Sequence, residues 1–100
     1  MDEIRQKRLE KRILQLITEV YFRKLKDPRI SFVTFIRCQL SNDIGKADIY
    51  FSVYGSEKEQ IDTKKALNNS AGFVRGKIAK SLKLKNVPKI FFIEEKYVEQ

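Results

Sequence analysis

"SFVTFIRCQLSNDIGKADIYFSVYG", residues 31–55, reads as two strands about a turn. In its first half Phe32, Thr34, Ile36, Cys38 and Leu40 fall on one face, with Arg37 and Gln39 on the other. In its second half Ala47, Ile49, Phe51 and Val53 alternate with Asp48, Tyr50, Ser52 and Tyr54. Side chains of a strand point alternately to opposite faces, so this pattern predicts two half-buried strands. Asn42, Asp43 and Gly45 supply turn chemistry between them. The expected product is a hairpin with one apolar and one mixed face. Tyr50 and Tyr54 lie on the mixed face. No paired aromatic-basic motif accompanies them, so cross-strand pairing is the favoured reading over base stacking.

Upstream, Leu9, Ile13, Leu16, Ile17 and Val20 recur at three- and four-residue spacing, with Leu14 and Tyr21 beside them. This predicts a helix over about residues 3–25. Arg5, Arg8, Arg12, Gln15, Glu19 and Arg23 fall opposite the apolar stripe, and Asp2 and Glu3 suit the positive end of the helix dipole. Pro28 ends the helix, because the residue before a proline is pushed out of the α region.

Downstream of Gly55 a helix is expected from near Glu57 to Asn69, with Thr63, Ala66, Leu67 and Ser70 forming a face of mostly small residues. Asn68, Asn69, Ser70 and Gly72 are poor helix-interior residues, and Gly alone costs about 1 kcal/mol relative to Ala. Their clustering predicts a kink, followed by a second helix with Val74, Ile78 and Leu82 inward and Lys77, Lys80 and Lys83 outward. Such a break would free backbone N–H groups at a helix start, where a phosphate can bind. Gly72 and Gly76 would let a backbone approach closely. A plain elbow with tight packing is the competing reading. "KIFFIEE", residues 89–95, follows Pro88 as a third strand.

One hundred residues suffice for one domain, taken as 1–100, with one core of two packed layers. The expected class is α+β, with helices on one face of a three-stranded sheet. Twenty-one Lys and Arg against 13 Asp and Glu give a net charge of +8. Residues 61–90 hold eight Lys and Arg and a single acid, Asp62, whereas residues 28–60 hold four of each sign. A basic cluster on one segment points to a polyanionic partner.

Other classes find little support. There is no histidine, the commonest general base and metal ligand. Cys38 is the only cysteine and has no acid or base partner in its strand. Glu94 and Glu95 are adjacent on a strand and face opposite ways. No glycine-rich phosphate fingerprint occurs. Neither catalysis nor a cofactor or metal is expected. No apolar run approaches the roughly 18 residues of a membrane span, and the charged N-terminal stretch does not read as a secretion signal. A cytoplasmic protein, monomeric and without membrane contact, is expected.

The chain resembles the ribosome-binding factor A family, bacterial assembly factors of the small ribosomal subunit. The likeness runs along nearly the whole chain. It rests on Asp27-Pro28-Arg29 after a basic first helix, and on Val33-Thr34 at the first strand. Ser41, Asp43, Ile44 and Ala47 match the hairpin pattern, with Ile in place of Leu. Leu67-Asn68, Ala71, Gly72-Phe73 and Arg75 match the kinked helix, and Leu84, Val87-Pro88, Ile90 and Phe92 the run into the last strand. Glu94-Glu95 stand where Asp is more usual.

The resemblance implies a K-homology-like type II fold, in the order α-β-β-α-kink-α-β. Ser70-Ala71-Gly72 then stands where ordinary K-homology domains carry a Gly-x-x-Gly loop. It also implies binding to the small subunit and its ribosomal RNA, a part in late rRNA maturation, and a role in growth in the cold. Members usually carry an extension beyond the last strand, and here Gln100 follows soon after it. On this reading Ser70, Ala71, Gly72, Arg75, Lys77, Lys80, Lys83, Lys85 and Lys89 form the RNA-binding face, extended by Arg5, Arg8, Lys11 and Arg12. The alternative is a basic DNA- or RNA-binding domain with no preference for ribosomes.

Overall fold

The structure, a computed structural model, describes residues 3–25 and 32–96. The Asp27-Pro28-Arg29 turn and the proline stop lie outside the described residues. Helix α1 spans Glu3–Glu19 and continues as a π-helix over Val20–Leu25. Strands β1 (Val33–Leu40) and β2 (Lys46–Val53) form the hairpin. Helix α2 runs from Glu57 to Leu82, and β3 from Lys89 to Glu94. The sheet order is β1-β2-β3, antiparallel between β1 and β2 and parallel between β2 and β3. The helices cover one sheet face, so the fold is the expected α+β arrangement.

The core lies between sheet and helices. Ile13 and Ile17 of α1, Ile49 and Phe51 of β2, and Leu67, Val74 and Ile78 of α2 are buried to 2% exposure or less. Each such side chain contributes about 1.5–3 kcal/mol by leaving water. Tyr21, in the π-helical turn, stacks at 5.2 Å from Phe35 and meets Phe92 edge-on at 6.0 Å. Burial raises its phenol to about 12, and its hydrogen bond with Ser70 opposes that shift.

The hairpin turn explains the Ser41–Asp43–Ile44 pattern. The Asp43 carboxylate accepts from the Ser41 hydroxyl (2.7 Å) and the Gly45 N–H (3.0 Å), and Ser41 Oγ accepts from the Lys46 N–H (3.0 Å). These bonds hold Ile44 at φ 60°, an uncommon conformation for a β-branched residue. Ile44 in return packs against the core.

The alternation predicted for β1 fails in its first half. Val33 and Phe35 are buried, whereas Phe32, Thr34 and Ile36 face solvent; Cys38 and Leu40 turn inward as expected. The pairing register shifts between Phe35 and Arg37, which makes Ile36 the extra residue of a β-bulge. The bulge reverses the parity of the strand. It lets Phe35 join Tyr21 and Phe92 without turning Cys38 and Leu40 outward. One end of this edge strand is also tied to α1. Glu10 Oε2 accepts from the Leu40 N–H at 2.8 Å, and the Gln6 side chain donates to the Leu40 carbonyl at 3.0 Å.

The predicted interruption at residues 68–72 is absent. Helix α2 is one element of 26 residues. Ser56 caps its start in a reciprocal box with Glu59, and the Lys83 N–H donates to the Ala79 carbonyl at its end. Thr63, Ala66, Leu67, Val74 and Ile78 bury one continuous stripe along it. That burial outweighs the roughly 1 kcal/mol that Gly72 costs. Ser70 satisfies its hydroxyl on its own helix, donating toward Ala66 O (2.8 Å) and Leu67 O (3.1 Å). No helix start, and so no set of freed N–H donors, forms at Ser70–Gly72.

Candidate RNA-binding face

A helix turns by about 100° per residue, so the outward side of α2 follows from its buried stripe. With Val74 and Ile78 inward, Gly72, Gly76 and Ala79 fall on the opposite side. A Cβ built on Gly72 or Gly76 would meet nothing within 4 Å, so neither glycine is required by packing. They leave a bare strip of backbone open to solvent in the middle of a long helix.

One wall of this strip is Phe73, Lys77 and Lys80. Phe73 is 46% exposed, and the Lys77 ammonium lies 5.3 Å from its ring centroid. The other wall is the connector from α2 to β3. Arg75 reaches across to it, donating to Val87 O (2.9 Å) and Pro88 O (3.3 Å). The result is a groove of about 670 Å³ lined by Gly72, Arg75, Gly76, Ala79, Lys85, Asn86 and Val87. Lys83 sits in the left-handed conformation at φ 50° and turns the chain into that connector.

Among the described residues, no ion pair occupies Arg75, Lys77, Lys80, Lys83, Lys85 or Lys89. Glu94 and Glu95, the acids at the end of β3, pair elsewhere: Glu94 holds Lys64 at 2.7 Å and Glu95 holds Arg37 at 2.6 Å. The groove therefore keeps an uncompensated positive rim with a smooth floor. Phosphate oxygens match such a surface in charge and in the clearance they need.

The structure gathers the predicted residues unevenly. Gly72, Arg75 and Lys85 line the groove, Lys77 and Lys80 project from α2 on the other side of the glycine strip, and Lys83 caps the helix end. Lys89 begins β3, its N–H bonded to Gly45 O at 3.0 Å, which places it at the hairpin-turn end of the sheet. Gln6 and Glu10 tether the start of α1 to Leu40 at that same end, and Arg5, Arg8, Lys11 and Arg12 are exposed on α1, apart from the groove. Ser70 and Ala71 are half-buried, and the Ser70 hydroxyl is bonded to Tyr21 at 2.7 Å, so it points inward. Gly76 takes the place expected of it beside Gly72, and Phe73, Asn86 and Val87 join the site without having been among the expected contacts. An exposed aromatic four residues from a lysine was the available signal for Phe73. Tyr50 is paired across the hairpin as favoured, with the Arg37 guanidinium 3.9 Å from its ring centroid.

Among the described residues no group of three acidic, thiol or imidazole side chains could hold a metal, and no helix is long and apolar enough to cross a membrane. Cys38 is buried, and its thiol is pushed up to about 12 by that burial first and by the Glu10 and Asp48 carboxylates second.

The family model of ribosome-binding factor A matches residues 5–100. The chain belongs to the ribosome-binding factor A family. A ribosome-binding factor A of Dictyoglomus thermophilum is 44% identical over 89 residues, covering 88% of this chain and 74% of the relative. Among solved structures, the solution NMR structure of a candidate ribosome binding factor A from Thermotoga maritima superposes with a TM-score of 0.82 at 40% identity, over 100% of this chain and 95% of that one. A homology model of the Thermus thermophilus ribosome binding factor A, fitted into a cryo-EM map of a 30S complex with that factor, shares the fold at a TM-score of 0.69 and 21% identity, over 88% and 92% of the two chains. The K-homology-like arrangement of ribosome-binding factor A is thus the arrangement found here, with α2 as one unbroken helix.

Proposed function

We propose that the protein binds the small ribosomal subunit through its RNA and assists late maturation of that RNA. The groove between α2 and the connector takes the phosphate backbone, and the exposed arginines and lysine of α1 add a second contact. One observation carries the reading. Two glycines stand mid-helix facing open space, each against helix propensity, beside Arg75, Lys85 and the outward lysines of α2, which no carboxylate among the described residues pairs. The 30S complex of the Thermus thermophilus relative supports the choice of partner. Phosphate contacts position a protein without reading bases, so selectivity comes from the shape of the folded RNA. The protein acts as a cytoplasmic monomer, with a role in growth at low temperature.

Co-sedimentation with purified subunits tests this. The protein is expected to pellet with the small subunit and not with the large one, and Lys80→Glu with Lys83→Glu is expected to abolish pelleting while leaving the fold intact. The logarithm of affinity should fall against the logarithm of salt with a slope of about −0.7 to −0.9 per phosphate contacted. Equal pelleting with both subunits would leave only a basic nucleic-acid-binding domain, and a flat salt response would remove the phosphate contacts altogether.

A further inference from the structure

We infer that the open face of the sheet holds a second RNA contact, in which an unpaired nucleobase stacks on Phe91 while its phosphate is held by Lys89 and Lys46. The inference rests on the RNA-binding reading above and gives it a single-stranded component that the α2 groove does not supply.

Phe91 lies on the sheet face that no helix covers and is 45% exposed. It occupies the row next to a pair of lysines, because Lys46 and Lys89 are register partners on β2 and β3. Like charges set side by side on adjacent strands repel, so this pairing is unfavourable until an anion sits between them. Lys46 is partly engaged already: its ammonium lies 3.5 Å from Asp48 Oδ1 and 5.2 Å from the Phe91 ring centroid. Among the described residues Lys89 has no carboxylate partner.

The rest of the face explains why the contact centres on Phe91. One row further along, Tyr50 is covered by Arg37, and Arg37 is held by Glu95. That row is closed by its own ion pair. In the Phe91 row the strand partner is Asp48, already facing the Lys46 ammonium, and the ring itself is covered only by that ammonium, on a flexible stem. An incoming base takes the ring, and the Lys46 ammonium turns from the ring to the phosphate. Phe91 lies on the sheet face turned away from α2, so this contact is separate from the groove; the connector that Arg75 holds at Val87 and Pro88 leads into Lys89 at the end of the sheet.

Stacking on an aromatic side chain is worth roughly tenfold or more in affinity per base. The test uses the full chain, a single-stranded hexaribonucleotide carrying 2-aminopurine, and a fully paired RNA duplex. Wild type is expected to bind the hexamer and quench its fluorescence. Phe91→Leu is expected to bind it about tenfold more weakly without quenching, to bind the duplex as wild type does, and to melt as wild type does. Phe91→Trp should retain both affinity and quenching. If Phe91→Leu leaves hexamer affinity and quenching unchanged, or weakens the duplex equally, the sheet contact is overturned. It is likewise overturned if wild type does not bind the hexamer. Small-subunit pelleting measured on the same variants keeps the two readings apart: pelleting that depends on Lys80 and Lys83 stands whatever Phe91 does.

Discussion

The Tyr21 phenol oxygen lies 2.7 Å from the Ser70 hydroxyl, and this bond joins the π-helical end of α1 to the middle of α2. It crosses 49 residues of sequence and sits beside the Tyr21–Phe35–Phe92 cluster. Ser70 thereby acts as a strut between helices. Tyr21→Phe keeps the ring packing and removes the bond, and should lower stability by about 0.5–1.5 kcal/mol in urea unfolding. Ser70→Ala should cost a similar amount, and the double variant less than the sum, since both remove one interaction. Pelleting with the small subunit should be unchanged in all three. A loss of pelleting in a well-folded Ser70→Ala would return Ser70 to the RNA surface.

Gly72→Ala and Gly76→Ala should move stability and binding in opposite directions. Each replacement enters open space and favours the helix by about 1 kcal/mol, which for a domain of this size raises Tm by about 4–8 °C. The added methyl groups stand on the groove floor, so affinity for the small subunit should fall. Calorimetry and co-sedimentation on the same preparations check both signs. A stabilised variant that binds as well as wild type would show that RNA does not approach this strip.

Acid should weaken the hairpin turn and the start of α2 together. The Ser41 hydroxyl and the Gly45 N–H hold the Asp43 carboxyl below its ordinary 3.8, and the Ser56 backbone N–H, with its side chain, holds Glu59 below its ordinary 4.5. Both folded values are depressed. Their contribution is therefore fully present above the ordinary values and is lost as pH falls through the lowered ones. Thermal melts between neutral pH and about pH 3 should show this loss, and Asp43→Asn and Glu59→Gln should each flatten the decline.

Cys38 should resist alkylation in the folded protein. With its thiol pushed up to about 12, almost none is thiolate at about pH 8. Mass spectrometry after iodoacetamide should find it unmodified in native buffer and fully modified in denaturant. Rapid native labelling would mean that β1 opens readily.

The sequence was most legible where one local rule acted alone. In β2, Ala47, Ile49 and Phe51 alternate strictly with polar neighbours, and all three are buried as expected. In β1 the neighbours Phe35 and Ile36 are both apolar, so alternation could not reveal which faces the helices. A bulge decided it, and a bulge leaves no signature when the residues on either side are interchangeable by hydropathy. The break expected at Asn68–Gly72 came from propensities of about 1 kcal/mol or less each, which the buried stripe of α2 overrides. For the site, the lysine spacing was legible because a helix face can be projected from sequence. The second wall was not, since it depends on Arg75 reaching carbonyls 12 and 13 residues away.

Glu10 and Gln6 have a consequence for what this molecule avoids. By occupying the outward N–H and carbonyl of Leu40, they deny a foreign strand its docking point at that end of β1, and the irregularity at Ile36 spoils the template further along. Ile36 at that irregularity and Phe32 just before the strand, both exposed, would otherwise invite fibrillar stacking of copies. Carrying α1 across this rim guards a chain bearing sticky residues against self-assembly.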